Sequence, residues 1–80
     1  VDKIDIDVFT IYPNPTKGNF RINKSVEKVE IYDLLGRKVK SFTGNFSADK
    51  SYDVSTLKSS IYIIKIKSNL GNSSQRLVIE

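Results

Sequence analysis

The chain has 80 residues, 39% hydrophobic and 28% charged, with a net charge of +4 and no histidine, cysteine, tryptophan or methionine. One domain of that size buries a thin core without disulfides, and the lack of His and Cys removes the usual zinc ligands, the commonest general base and the thiol nucleophile. The carboxylates Glu27, Glu30, Asp33, Asp49 and Asp53 form no acid–base arrangement, and no glycine-rich loop precedes a helix, so the chain reads as a non-enzyme with no cofactor or metal site.

Charge is uneven along the chain. Residues 1 to 7 hold three Asp and one Lys, while the remaining 73 hold 12 basic and 6 acidic side chains. That excess suits an anionic partner, yet Lys38/Lys40 and Lys65/Lys67 stand at period two among apolar residues, as on the solvated face of a strand. No aromatics interleave with these lysines, so no nucleic-acid partner is expected. No apolar run approaches the ~20 residues of a membrane-spanning helix.

Residues 1 to 8 read as a lead-in from an upstream passenger, with Ile4, Ile6 and Val8 alternating with Asp5 and Asp7. Asp2, Asp5 and Asp7 supply carboxylates suited to calcium, but no glycine-turned loop or distal Glu completes such a site. Phe9 to Tyr12 predicts a short strand. Pro13-Asn14-Pro15 ends it, because two prolines remove two amide donors. Asn14 between them is forced to an extended conformation, with its side chain offered to the local backbone. Gly18 to Ile22 resumes a strand with Phe20 and Ile22 on one face.

Val29 and Ile31 alternate with Glu30 and Tyr32, and Lys38 to Phe42 resumes an extended pattern. The interruption at Asp33-Leu34-Leu35-Gly36 makes a β-hairpin, with Gly36 supplying the positive φ of a short bulged loop. Arg37 is placed to pair with Asp33. Thr43 to Ser51 reads as a loop or poor edge strand tacked down by Phe46. Ser51 to Val54 is a short strand, and Leu57 plugs the core from a connection. Ile61 to Lys67 is the most apolar run, with Tyr62, Ile64 and Ile66 on one face. Asn69 to Asn72 turns into a closing strand, Ser74 to Ile79. About seven short strands with no helical period predict an antiparallel β-sandwich.

Three separated stretches carry a resemblance. They are Tyr12-Pro13-Asn14-Pro15 with Gly18; Val29 to Val39, reading Val-Glu-Ile-Tyr-Asp-Leu-Leu-Gly-Arg-Lys-Val; and Leu57 through Ile61 to Ile66, followed by Arg76-Leu77-Val78. In order, spacing and length they resemble the type A C-terminal sorting domain of the type IX secretion system of Bacteroidetes, from about residue 9 to 80. The sequence departs from that family at Ser60, where a glycine is usual two residues before the tyrosine. It also departs at the terminus, where Arg76 is the last base and Glu80 ends the chain.

The resemblance implies an all-β, Ig-like antiparallel β-sandwich acting as a non-catalytic address at the C-terminus of a secreted passenger. It implies transit through the periplasm, recognition by the outer-membrane translocon and its sortase-like attachment complex, and delivery to the cell surface or medium. Removal of the domain is expected in or before residues 1 to 8. The recognition residues it implies are Pro13, Asn14, Pro15, Gly36, Arg37, Tyr62, Arg76, Leu77 and Val78. A strand at Arg76 to Ile79 is expected to offer an edge to a partner sheet, and the edges of an isolated domain are expected to allow a dimer. The alternative is a carbohydrate-binding or adhesive accessory β-sandwich, which would display aromatic rings.

Overall fold

In the computed structural model, residues 9–69 and 71–80 are described. The lead-in at residues 1–8, with Asp2, Asp5 and Asp7, lies outside them. The described residues form seven strands: β1 Ile11–Tyr12, β2 Asn19–Ile22, β3 Val26–Tyr32, β4 Lys38–Phe46, β5 Ser51–Asp53, β6 Ser60–Ser68 and β7 Gly71–Ile79. All strand pairs are antiparallel, in a three-stranded sheet of order β1-β2-β5 and a four-stranded sheet of order β4-β3-β6-β7.

Period-two alternation sets the inner faces. Phe20 and Ile22 from β2 and Tyr52 from β5 meet Val29 and Ile31 from β3, Ile64 and Ile66 from β6, and Leu77 and Ile79 from β7 in one buried cluster. Leu57 packs half-buried against it, as its place in the sequence predicts.

The two long sides of the sandwich close differently. On the β4–β5 side the closure is aromatic. Tyr52 stacks on Phe20 at 5.3 Å between ring centres and meets the rings of Phe42 and Phe46 edge-on at 5.3 and 5.5 Å. The Tyr52 hydroxyl is buried there with no hydrogen-bond partner, and burial pushes its pKa up to about 12. On the β1–β7 side the closure is polar. The chain leaves the three-stranded sheet after Tyr12, turns through Pro13-Asn14-Pro15, and lays Thr16 against Ile79 as a parallel bridge.

Of the loop or poor edge strand read at Thr43 to Ser51, the edge strand holds as far as Phe46, and only Ser47 to Lys50 turn. The lysine spacing misleads: Lys38 and Lys40 do not share a face. Tyr32 pairs with Lys38 but Ile31 pairs with Lys40, so Val39 is the extra residue of a bulge. The bulge reverses the alternation. Lys38 joins Glu30 on the outer face, while Lys40 leans over the Phe42 ring, 5.7 Å from its centre.

Candidate functional site

Parts of all three motif stretches meet at one end of the sandwich. The row Lys38–Tyr32–Ile63–Arg76 crosses the four-stranded sheet near that end. Beyond it lie the β3–β4 hairpin turn, Ile61 opposite Val78, and Ser60 opposite Ile79. Pro13 and Pro15 of the corner line a shallow hollow with Glu80 at the same end.

The corner holds the chain terminus. Asn14 does not turn back on its neighbours. Its amide donates to the Arg76 carbonyl at 2.8 Å, and its side-chain oxygen accepts from the Val78 N–H at 3.0 Å. Thr16 continues this pairing, its N–H donating to the Val78 carbonyl and its carbonyl accepting from the Glu80 N–H, both at 2.8 Å. The Thr16 hydroxyl donates to the Asn19 carbonyl and accepts from the Gly18 N–H, so Thr16 is only 1% exposed. The outer edge of β7 is therefore already paired from Arg76 to Glu80. This overturns the sequence expectation of a free edge there: a partner strand cannot add without displacing the corner. Both proline peptide bonds of the corner, Tyr12–Pro13 and Asn14–Pro15, are cis.

Leu77 and Tyr62 face inward. Leu77 is fully buried, and Tyr62 is buried with its hydroxyl donating to the Lys58 carbonyl at 2.6 Å. Of the residues implied by the resemblance, Pro13, Asn14, Pro15, Tyr62 and Leu77 thus serve the corner or the core. Arg76 and Val78 are shared, with backbones in the clasp and side chains on the outer face.

The hairpin turn is built the opposite way, from inside outward. Asp33 accepts the Gly36 N–H on its carbonyl at 3.0 Å and donates its N–H to the Arg37 carbonyl at 2.9 Å. Its carboxylate accepts the N–H groups of Leu35 at 2.9 Å and Arg37 at 3.0 Å, and the Arg37 Nε at 2.8 Å. The bond from the Arg37 N–H is the largest cause holding the Asp33 pKa below the ordinary carboxylate value, with burial opposing it. Gly36, at φ +89°, permits the turn. The result is a fixed loop that holds Leu34 and Leu35 in solvent, 65% and 80% exposed. Sequence reasoning treated this pair as turn residues. The signal was available, since two leucines inside a four-residue turn have no core to enter.

Family comparison separates the two functional readings. The model of the secretion system C-terminal sorting domain matches residues 10–80. The chain belongs to that family. It is a type IX sorting domain, a non-catalytic module carried behind an N-terminal passenger that is exported to the cell surface or medium. An ulvan lyase of Nonlabens ulvanivorans is 38% identical over 72 residues, which is 86% of this chain and 14% of that protein. The sorting domain thus spans about one-seventh of the length of the relative it matches.

The aromatic rings agree with this assignment. A carbohydrate platform needs exposed rings, and all eight Phe and Tyr residues here are buried or half-buried. Tyr32, on the outer face, is covered by Lys65, whose Nζ lies 4.8 Å from the ring centre.

Proposed function

We propose that the sorting domain acts as a folded address read by docking. In this reading the passenger, joined through residues 1–8, crosses the periplasm with the domain already folded. The translocon and its sortase-like attachment complex recognise the motif-bearing end. The domain is then cut away in or before residues 1–8, and the passenger is anchored or released. The passenger is a secreted enzyme, on the ground that the matching relative is a lyase.

The observation that carries the proposal is the sealing of β7. Arg76 to Glu80 are bonded to Asn14 and Thr16 on one side and to β6 on the other, so the terminal segment is presented as part of a folded surface. A dimer of the isolated domain would use the outer edge of β4, where the bulge and Lys38 disfavour regular pairing.

The test is export. Residues 1–80 are fused behind a periplasm-targeted fluorescent protein in a Bacteroidetes host with a working type IX system and in a translocon-deficient strain. Fluorescence outside the cell only in the competent strain supports the proposal. Periplasmic retention of intact, folded fusion in both strains contradicts it.

A further inference from the structure

The large aliphatic side chains left exposed among the described residues are Leu34, Leu35, Val39 and Ile61, and all four lie at the hairpin end of the four-stranded sheet. Scattered surface apolar residues need no explanation, but a gathered set rimmed by polar groups marks a contact surface. Half-buried Tyr32, Ile63 and Val78 join them on the outer face, since their chain neighbours Ile31, Ile64 and Leu77 point inward. Tyr32, Leu34, Ile63 and Lys65 line a shallow depression there.

The charges around this patch are not balanced. Two of its three acids, Asp33 and Glu30, are occupied within the fold, and only Glu80, exposed beyond Val78, has no ion pair among the described residues. Asp33 is held by the turn and Arg37, and Glu30 by Lys38 at 3.2 Å and Lys28 at 3.5 Å. Lys65 and Arg76 have no ion-pair partner among the described residues. Arg37 meets Asp33 through Nε alone and its side chain is 73% exposed, leaving its outer N–H donors facing solvent in a fixed direction. A guanidinium fixed this way suits a carboxylate arriving from outside. A rigid loop also loses little conformational freedom when its leucines are covered.

We propose that this outer face, with the projecting Leu34–Leu35 tip as its apolar anchor and Arg37, Lys65 and Arg76 beside it, is where the sorting domain docks. Its partner is a protein of the export machinery presenting an apolar hollow edged by carboxylates. This rests on the docking reading above and names the surface that performs it. Charge complementarity selects the rim, because the unpaired cations Lys65 and Arg76 and the outward side of Arg37 outnumber the single unpaired acid there, Glu80. The leucine pair selects a protein hollow over a polyanion such as lipopolysaccharide, which would use the cations and leave the leucines in water.

The test uses the same fusion and host with four variants. Leu34→Ser/Leu35→Ser is expected to lower export by about tenfold or more, as loss of an apolar anchor does. Arg76→Glu is expected to lower it by roughly threefold, as a rim charge does. Lys24→Glu, on the loop between β2 and β3 at the opposite end, is expected to change nothing. Melting midpoints of the purified domains should stay within a few degrees of the parent, as for exposed substitutions generally. Should the double variant melt early, Leu35→Ser alone, at the most exposed position, replaces it. Normal export of a folded leucine variant, with the parent still translocon-dependent, overturns the docking surface and leaves the sorting reading intact. Loss of export from Arg76→Glu alone points to a polyanion and also overturns it. Retention of the parent fusion in the competent strain removes both.

Discussion

The corner and the hairpin turn stand at the same end of the molecule and use their polar groups in opposite ways. At the corner, Asn14 and Thr16 reach across 62 residues or more to seal the outer edge of β7. The polar atoms are consumed in holding the terminus, and Leu77 beneath is fully buried. At the hairpin, Asp33 closes a loop on itself within four residues, and the side chains it supports are held away from the fold. The two motifs thus do different structural work: one fixes the end of β7 and the other fixes an exposed loop.

Substitutions can test that division. The largest effect on stability is expected from Leu77→Ala, which empties a core site and should cost about 2–5 kcal/mol in urea unfolding. A domain of this size has total stability of roughly 4–12 kcal/mol, so that loss would be severe. A change under ~1 kcal/mol would mean Leu77 is not the core residue described. Asn14→Ala removes two hydrogen bonds and should cost about 1–3 kcal/mol, read by the same unfolding experiment. Because the freed Arg76 and Val78 groups are near solvent, water limits the loss.

Asp33→Asn should destabilise the domain at neutral pH, and the size of the effect should depend on pH. The folded Asp33 pKa is depressed below its ordinary 3.8. The stabilisation it contributes is therefore full above that value and is lost as pH falls through the lower, folded value. Unfolding curves of parent and variant should converge in acid, and a gap that does not narrow as the pH falls below the ordinary carboxylate range would contradict the carboxylate's role. The smallest effect on stability is expected from Leu34→Ser/Leu35→Ser, within about 0.5 kcal/mol by thermal melting. A larger loss would mean the leucines support the turn, which would blur the contrast with the corner.

Much of the fold was legible because its signals are local. The alternations at Phe20/Ile22, Val29/Ile31 and Tyr62/Ile64/Ile66 place those side chains in the core without knowledge of their partners. The Asp33–Arg37 pair and the Gly36 turn were equally readable, since all their bonds close within the turn. What the sequence concealed depends on distance. Asn14 has neighbours that look like a self-contained corner, and nothing near it announces Arg76 or Val78. Thr16 reads as one more polar turn residue until the chain terminus covers it. The bulge at Val39 leaves a regular lysine spacing in the sequence while sending Lys38 and Lys40 to opposite faces. For the same reason the exposed apolar end was only partly visible: Gly36, Arg37, Arg76 and Val78 could be named from resemblance, but their meeting with Leu34, Leu35 and Ile61 requires the sheet register.

Residue-resolved amide hydrogen exchange on the intact domain tests the central claim most directly, because a sealed and a free terminal strand differ in protection. The account predicts that the Thr16, Val78 and Glu80 amides exchange slowly. It also predicts that Asn14→Ala lowers protection most at Val78, while the Val29 and Ile64 amides lose no more than the drop in global stability. Rapid exchange at Val78 and Glu80 in the parent domain would contradict it, and would make the C-terminal segment a loose strand available for pairing with a partner.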